Sequence, residues 1–254
     1  MRNLRDELDR KPLWGAFISS NSALAAELMA QAGFDWLVID LQHAPAGGPE
    51  QLAAMLRATG GTPTLVRIPW KTDFGTAMAA LDAGAHGLIV PMVDTPEEAA
   101  AIAGACRYPS AGYRSWGPWR AGQAPGYSPG QGDGHVLCLV QIETRAAIDN
   151  LDAIVAVPGI DGAYIGPQDL SLSHGGGLNW RTDNPVLHEL SERILKSCRQ
   201  AGKLAVAHTA EPQDARHWGA LGFDMVTATS DTRLISVAGA SAVELLRAGN
   251  GPAA

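Results

Sequence analysis

Val140-Gln141-Ile142-Glu143 and Ile165-Gly166-Pro167-Gln168-Asp169 are two segments of this chain in which an apolar run ends in a carboxylate. The run that leads into the first is short and rich in branched or thiol side chains, which is typical of a strand buried on both faces. Two acids at the ends of neighbouring parallel strands can converge on one point above the sheet. Hard oxygen ligands at such a point suit Mg²⁺ or Mn²⁺. The two segments therefore predict a metal site that holds a small oxo acid.

Apolar runs of this kind recur eight times along the chain, and segments with helical spacing separate most of them. The runs are Trp14–Ile18, Trp36–Ile39, Thr64–Ile68, Gly87–Val93, Val136–Ile142, Ala163–Ile165, Leu204–Ala207 and Met225–Ala228, and the helical segments include Ser22–Ala32, Pro49–Thr59, Pro96–Arg107, Pro185–Gln200 and Pro212–Gly219. Eight such repeats in a chain of this length are what a (β/α)₈ TIM barrel of the α/β class requires. An open doubly wound sheet is the competing fold, but no Gly-x-Gly-x-x-Gly follows the first run.

Start and stop signals support the helical segments. Thr95 can cap a helix that begins at Pro96, and Glu97 complements the dipole of its first turn. Ala-Gly pairs at Gly33, Gly84 and Gly202 precede the next apolar run, where they predict left-handed helix C-caps.

Length, composition and charge limit the classes of function. The chain has 254 residues, 46% of them apolar, and we expect one barrel domain over residues 1–254. The net charge is −7 and the basic residues are scattered, so the sequence lacks the basic footprint of a nucleic-acid or anionic-membrane binder. We therefore expect small molecules and further copies of the chain as partners.

Cysteine usage and the N-terminal sequence bear on the compartment. Cys106, Cys138 and Cys198 lie in apolar or helical contexts without C-x-x-C spacing, which argues against disulfides and a zinc site. The N-terminus is charged and no apolar run approaches the ~20 residues that a membrane span requires. We expect a reducing cytoplasm and neither a signal peptide nor a membrane anchor.

A segment at about residues 108–134 interrupts the repeat. It is rich in Gly, Pro and aromatic residues and shows neither helical nor strand periodicity. Long loops inside a compact domain usually have a function or form an interface. Two interpretations stay open: a surface excursion, or a lid or subunit contact that uses its two Trp and two Arg side chains.

Polar residues that close the apolar runs are the candidate site residues, because the active site of such a barrel lies at the C-terminal ends of its strands. An Arg there can bind a carboxylate or stabilise an enolate oxygen, and a His can move protons near neutral pH. The candidates are His43, Arg67, Gln141, Glu143, Gly166, Pro167, Gln168, Asp169 and His208. None of the four lysines ends an apolar run, which favours a metal site over a Schiff-base lysine.

Structural roles compete with these assignments. Glu143 can be a solvated residue that forms an ion pair with Arg145, and His43 can be a structural histidine. Arg67 can form a salt bridge with Asp40 at the barrel rim, a contact that is compatible with a functional role. Asp82, which precedes an Ala-Gly-Ala C-cap, can be a polar residue of a helix end.

Eight motifs, taken together and in order over residues of about 13 to 235, resemble the HpcH/HpaI aldolases. The motifs are Trp14-Gly15-Ala16-Phe17 with Ser19-Ser20-Asn21, Asp40-Leu41-Gln42-His43-Ala44-Pro45, Leu65-Val66-Arg67, Leu81-Asp82-Ala83-Gly84-Ala85, Ile89-Val90-Pro91-Met92-Val93, Arg107-Tyr108-Pro109, Gln141-Ile142-Glu143 and Gly166-Pro167-Gln168-Asp169-Leu170-Ser171. The HpcH/HpaI aldolases are metal-dependent pyruvate aldolases with a TIM barrel of the phosphoenolpyruvate/pyruvate superfamily. The resemblance implies an aldolase that uses Mg²⁺, Mn²⁺ or Co²⁺, needs no organic cofactor, and forms hexamers built as trimers of dimers.

The resemblance also implies roles for single residues. Glu143 and Asp169 would bind the metal, Arg67 would stabilise the pyruvate enolate, and His43 would act as acid and base. Asp82 would raise the basicity of His43, and in such enzymes this Asp can come from a neighbouring subunit. Substrate contacts are implied for Gln141, Gly166, Pro167 and Gln168.

Gln42 and His208 depart from the family pattern. Gln42 stands where the family has an acidic residue, so we expect retained activity with an altered metal or proton network. His208 stands where many relatives have an apolar or aromatic residue, and with Phe17 we expect it to line the aldehyde side.

The predicted reaction is reversible retro-aldol cleavage of 4-hydroxy-2-oxo acids to pyruvate, or a 2-oxo acid such as hydroxypyruvate, and an aldehyde. A coenzyme A thioester lyase of the same superfamily is one alternative, although the sequence offers no basic cluster for the phosphates. A non-catalytic barrel that binds an oxo acid is the other.

Overall fold

All eight apolar runs form strands, and these pair in chain order into a closed parallel barrel, as the sequence predicted. The structure is a computed structural model that describes residues 3–45, 47–124, 126–178, 181 and 183–248. The strands are β1 (Leu13–Ile18), β2 (Trp36–Asp40), β3 (Thr64–Arg67), β4 (Gly87–Val90), β5 (Leu137–Ile142), β6 (Gly162–Ile165), β7 (Leu204–His208) and β8 (Met225–Ser230). The predicted fourth strand, which extended to Val93, is three residues too long, because Pro91 has no N–H for the ladder and Met92 has a φ of 57°.

Side chains of each strand alternate between two cores. One core contains residues from all eight strands and none from the surrounding α-helices, so it fills the barrel interior; Trp36 and Val38 of β2 belong to it. Leu37 and Ile39 of the same strand belong to the second core, which lies between the strands and the surrounding helices. This period of two is the geometry of a β-strand, and it determines which strand-end residues point into the barrel.

Helices cover the outside of the barrel. They are α1 (Ala23–Gln31), α2 (Pro49–Ala58), α3 (Phe74–Asp82), α4 (Pro96–Cys106), α5 (Pro129–His135), α6 (Arg145–Asp149), α7 (Leu151–Val155), α8 (Pro167–Ser173), α9 (Pro185–Gln200), α10 (Pro212–Leu221) and α11 (Asp231–Ala248), with 3-10 helices at Leu4–Arg10 and Ala121–Gln123. The Thr95 side chain caps α4 as expected. Gly33, Gly84 and Gly202 have φ values of 91°, 95° and 65°, which confirms the left-handed turns predicted for them.

The segment 108–134 is more ordered than its sequence indicated. The prediction that it has no helical structure was wrong, because it contains the short helix α5, which Ser128 caps at its N-terminus. Its Gly-rich sequence has low helix propensity, so packing rather than propensity stabilises this turn. Arg114 anchors the segment: its buried guanidinium donates to Asp82 at 2.6 Å and lies 4.6 Å from the centre of the Tyr108 ring.

α11 differs from the other long helices because it covers almost nothing. Only Asp231, its first residue, is buried. Leu234, Ile235, Leu245 and Leu246 are between 44% and 76% exposed. In the part of the chain that the structure describes, no helix is both long enough and apolar enough to cross a membrane.

Gly87 tests how closely the strands of the barrel pack. A Cβ at this position would lie 2.9 Å from the amide nitrogen of Leu137 on β5, and closer still to its carbonyl oxygen. Since backbone atoms of a paired strand cannot move aside, Gly87→Ala should lower the unfolding free energy by about 3 kcal/mol. For a chain of this size that corresponds to a fall in Tm of roughly 6–12 °C, measurable by calorimetry.

Gly130 in α5 provides the control, since a Cβ there meets no heavy atom within 4 Å. Gly130→Ala should leave the Tm unchanged or raise it slightly. Equal Tm values for the two variants would contradict the close packing at Gly87.

Candidate active site

The strand period of two brings the polar strand ends together at one mouth of the barrel. Asp40 follows Trp36 and Val38 on the inward face of β2, and Arg67 follows Leu65 on the inward face of β3. His208 has the same relation to its own strand, β7. Sequence position alone thus selects side chains that converge.

The mouth contains a cavity of about 400 Å³ that brings together most of the predicted site residues. Eight of its lining residues are predicted ones: His43, Arg67, Gln141, Gly166, Pro167, Gln168, Asp169 and His208. The ninth is Tyr164, which sequence reasoning did not single out although it lies on the inward face of β6. Phe17 lines an adjoining cavity, as described below.

Arg67 is fixed by Asp40. Its Nε donates to Oδ1 at 2.9 Å and its Nη2 to Oδ2 at 2.7 Å, which is the bidentate geometry of a strong pair. Burial disfavours both charges, but the pair outweighs it, so the pKa of Asp40 is lowered and that of Arg67 is raised. The predicted rim salt bridge exists, and it leaves Arg67 lining the cavity with N–H groups that Asp40 does not use.

Two neutral N–H donors hold the Glu143 carboxylate. Its Oε1 accepts the backbone N–H of Met92 at 2.7 Å, and its Oε2 accepts Nε2 of Gln141 at 2.5 Å. Arg145 does not pair with it, because the Arg145 Nε donates to the carbonyl oxygen of Ser173 at 2.6 Å. Glu143 is 1% exposed, so the interpretation as a solvated strand-end residue is wrong.

The environment of Glu143 fits a bound cation. Burial raises the pKa of Glu143 to about 7 despite the two donors, and the charge of Asp169 adds to the rise. Within the described ranges neither acid forms a salt bridge, and the buried Oε1 of Gln141 has no hydrogen-bond partner. A Cβ on Gly166 would meet both Gln141 and Glu143. The buried Glu143 carboxylate without a cationic partner, the exposed Asp169 carboxylate and the orphaned Gln141 amide oxygen form a hard donor set suited to a divalent ion.

The two predicted histidines differ in environment. His43 is exposed at the rim, on the loop whose backbone N–H groups at Gln42 and His43 donate to Asp40 at 3.0 and 3.4 Å. His208 is partly buried between the strands, and its Nδ1 lies 3.0 Å from the Thr227 hydroxyl and 3.2 Å from that of Tyr164. Burial, with a contribution from Arg67, lowers the pKa of His208 to about 3, so its imidazole is neutral.

Asp82 lies elsewhere. It is the last residue of α3, a helix that runs back from the mouth, and it lines a cavity of about 630 Å³ together with Arg57 and Trp119. Its carboxylate accepts the 2.6 Å hydrogen bond from Arg114. Within one chain, therefore, the structure brings His43 and Asp82 to different cavities.

Lys71 does not have the environment of a Schiff-base lysine. Its Nζ lies 2.8 Å from Asp94 and 2.7 Å from Glu98. Burial alone would lower its pKa, but the two carboxylates outweigh burial and raise it. An amine nucleophile needs the opposite shift, so the side chain stays protonated.

The hydrogen bond from the Met92 backbone N–H to Glu143 was not predicted from the sequence. The positive φ of Met92, 57°, turns the loop after β4 so that this N–H donates to Glu143. No signal in the sequence marks this conformation, since a non-glycine residue with positive φ is uncommon. Tyr164, in contrast, could have been found from the alternation along β6.

Comparison with known proteins yields one family and several close relatives. Residues 13–236 match the family described as HpcH/HpaI aldolase/citrate lyase. The 4-hydroxy-2-oxo-heptane-1,7-dioate aldolase of Klebsiella pneumoniae is 39% identical over 233 residues, which are 89% of this chain and 86% of that protein. The 2-keto-3-deoxy-L-rhamnonate aldolase of Escherichia coli is 36% identical over 256 residues, or 94% of this chain and 90% of that protein.

A solved structure shows the same architecture. The HpcH/HpaI aldolase/citrate lyase family protein from Burkholderia cenocepacia superposes with a TM-score of 0.87 at 30% identity, covering 96% of this chain and 98% of that one.

The raised pKa of Glu143 provides a test of the predicted metal site. Below about pH 7 a proton occupies Glu143 and competes with the cation, so the apparent affinity for Mn²⁺ should fall as pH decreases and level off above pH 7. The slope should approach tenfold per pH unit on the acid side, since one proton is displaced. Titration of Mn²⁺ followed by electron paramagnetic resonance measures it.

Glu143→Gln is the matched control. It should bind Mn²⁺ more weakly, and the change of slope near pH 7 should disappear. A wild-type affinity that is constant across pH 7 would contradict the assignment of Glu143.

Proposed function

This chain belongs to the HpcH/HpaI aldolase/citrate lyase family, and from that membership we propose that it is a divalent-metal-dependent aldolase, a carbon–carbon lyase. It cleaves 4-hydroxy-2-oxo acids reversibly into pyruvate, or a related 2-oxo acid such as hydroxypyruvate, and an aldehyde. The observation that supports this most directly is the pair of carboxylates Glu143 and Asp169, neither of which forms a salt bridge among the described residues, at the same mouth as Arg67 and His43.

Glu143 and Asp169 would hold the metal, with the orphaned Gln141 oxygen available as a further donor. We propose Mg²⁺ or Mn²⁺, with Co²⁺ as a substitute and without an organic cofactor, because the donors are oxygens. When bound, the ion supplies Lewis-acid polarisation of the 2-oxo acid.

Arg67 would stabilise the negative charge that develops on the pyruvate enolate oxygen. Asp40 uses its Nε and Nη2 in a fixed geometry, so the remaining N–H groups are preorganised before substrate binds. Because Asp40 remains ionised next to Arg67, the pair is close to neutral and does not bind a carboxylate as strongly as a free arginine would.

His43 would move the protons. In cleavage, a base assisted by His43 removes the proton of the C4 hydroxyl, and the C3–C4 bond breaks as the aldehyde carbonyl forms. The electron pair of that bond passes to the 2-oxo group, giving the enolate, and protonation at C3 yields pyruvate. His43 suits this role because it is exposed at the rim, where protons exchange with solvent.

The remaining cavity residues would position the two halves of the substrate. Gln141, Gly166, Pro167 and Gln168 lie beside Asp169, where the 2-oxo acid would sit, so we propose that they contact it. Phe17 and His208 would line the aldehyde side; their rings meet edge to face with centroids 4.8 Å apart.

We also propose a homo-oligomer, as a hexamer of three dimers. In a (β/α)₈ barrel the helix after β8 normally packs against the outside of the barrel, yet α11 leaves its leucines exposed, and Leu24 and Leu28 of α1 are 65% and 57% exposed. A second copy would cover these surfaces. An oligomer would also allow Asp82 of one subunit to approach His43 of another.

A reducing cytoplasm remains the proposed location. It is supported by Cys106, Cys138 and Cys198, which are all buried free thiols.

The proposed chemistry predicts metal-dependent aldol addition. With pyruvate and an aldehyde, the protein should form a 4-hydroxy-2-oxo acid. EDTA should abolish the reaction and Mg²⁺ or Mn²⁺ should restore it, whereas borohydride with pyruvate should leave the protein unmodified, since no lysine is among the described residues that line the cavity. Chromatography of products and intact-mass measurement follow these outcomes; activity that survives EDTA together with a borohydride adduct would refute the metal route.

Arg67→Ala tests the role of the guanidinium in the same assay. Loss of one preorganised charge should lower kcat/KM by about 10²-fold, while Arg145→Ala, which removes an exposed guanidinium beside the site, should have little effect.

Sharing of residues between subunits is tested by complementation. His43→Ala and Asp82→Asn should each be strongly impaired alone, because each removes one member of the proposed proton-transfer pair. Coexpressed as mixed oligomers, they should recover part of the activity, since some sites then combine an intact His43 with an intact Asp82. Mixed oligomers that form, as judged by native mass spectrometry, but show no recovery would exclude the shared site.

A further inference from the structure

A smaller cavity adjoins the main one on the side of β1 and β8. Its volume is about 120 Å³, and Arg67 and His208 line both cavities. At roughly 30 Å³ per water-sized group, it has room for about four non-hydrogen atoms. A ligand seated in the main cavity can therefore extend past Arg67 and His208 into the second one.

Two hydroxyl groups of this smaller cavity are not used by the protein. Ser19 and Thr229 both line it, and across the described part of the chain neither side-chain hydroxyl makes a hydrogen bond. Thr229 is only 6% exposed, so its hydroxyl has little access to solvent outside the cavity. In contrast, the Thr209 hydroxyl donates to the Thr227 carbonyl at 2.6 Å. Both hydroxyls therefore face the cavity with their hydrogen-bonding capacity unused by the protein, and a bound molecule can use it.

The charges around the smaller cavity do not favour an anion. Arg67 is the cation in its lining, and Asp40 already neutralises it at 2.7 Å. Behind Ser19, the buried carboxylate of Asp231 accepts the backbone N–H groups of Ser19 and Ser20 at 2.8 and 3.2 Å, and it pairs with no cation in the ranges described. The nearby Arg233 is paired with Glu211 instead. A second carboxylate entering this cavity would thus meet net negative charge.

We propose that this smaller cavity binds hydroxyl groups of the aldehyde, and that the enzyme prefers hydroxyaldehydes over aldehydes with an apolar chain or a terminal carboxylate. Ser19 and Thr229 would exchange hydrogen bonds with these hydroxyls. The inference rests on the proposed aldolase function and specifies its substrate class. In the reaction a proton leaves the pyruvate methyl group, that carbon bonds to the aldehyde carbon, and the aldehyde oxygen takes up a proton.

Aldol addition of pyruvate to three short aldehydes tests the preference. We expect kcat/KM with glyceraldehyde to exceed that with propanal, which has the same number of carbons, by about tenfold or more, because each satisfied hydrogen bond contributes a factor of several. 4-Oxobutanoate should be a poorer substrate than glyceraldehyde because of its charge.

Variants separate recognition from the intrinsic reactivity of the aldehydes. Thr229→Val and Ser19→Ala should each lower the ratio of kcat/KM for glyceraldehyde to that for propanal by roughly fivefold, and Thr229→Ser should restore it. Thr59→Val, the same change at a buried threonine at the C-terminal end of α2, should leave the ratio unchanged. Ser19→Ala keeps the test informative if Thr229→Val does not fold.

Two outcomes would overturn the inference. In the first, the wild-type protein has a kcat/KM for propanal or 4-oxobutanoate that equals its kcat/KM for glyceraldehyde. In the second, the ratio of kcat/KM for glyceraldehyde to that for propanal is unchanged in both Thr229→Val and Ser19→Ala. Exchange of pyruvate methyl protons in D₂O with Mg²⁺ distinguishes failure of the aldehyde preference from failure of the proposed aldolase function. Exchange without the aldehyde preference refutes only the inference, whereas neither exchange nor product with any aldehyde refutes the proposed function and the inference with it.

Discussion

The alternation of side chains along a strand is the constraint on which the structure depends. Once eight parallel strands close into a barrel, each strand has one face toward a common interior and one toward the helices. The residues that fill the interior, such as Val38 and Leu65, therefore determine which strand-end residues meet at the mouth. Asp40 and Arg67 are two residues further along those strands, so packing of the apolar core and placement of the polar site are one requirement.

The charged residues at the mouth form two groups that differ in their charge balance. Asp40 and Arg67 neutralise each other through two short hydrogen bonds, which makes their burial tolerable. Glu143 and Asp169 have no such partner among the described residues, and burial of Glu143 raises its pKa to about 7. Asp40 thus neutralises the arginine of the mouth, while the buried Glu143 carboxylate has no cationic partner among the described residues.

The same balance connects the two cavities. Arg67 lies in the wall of both, held by Asp40 at an angle that leaves N–H groups for an enolate oxygen. On one side are the acids that we propose for a metal and a 2-oxo acid, and on the other are the hydroxyls and neutral His208 that we propose for an uncharged chain. In the proposed function, both substrate halves would therefore meet one arginine whose charge is already balanced by Asp40.

Local periodicity and strand-end chemistry in the sequence were sufficient for the barrel, the left-handed caps at Gly33 and Gly84, and the meeting of Arg67 with Asp169, because these features depend on a period of two and on strand direction. Tertiary structure alone decided the turn at Met92 that holds Glu143, the anchoring of Arg114 on Asp82, and the exposure of α11. These contacts join residues far apart in the chain or need an uncommon backbone angle. No local pattern encodes them, because their free energy arises only after the chain has packed.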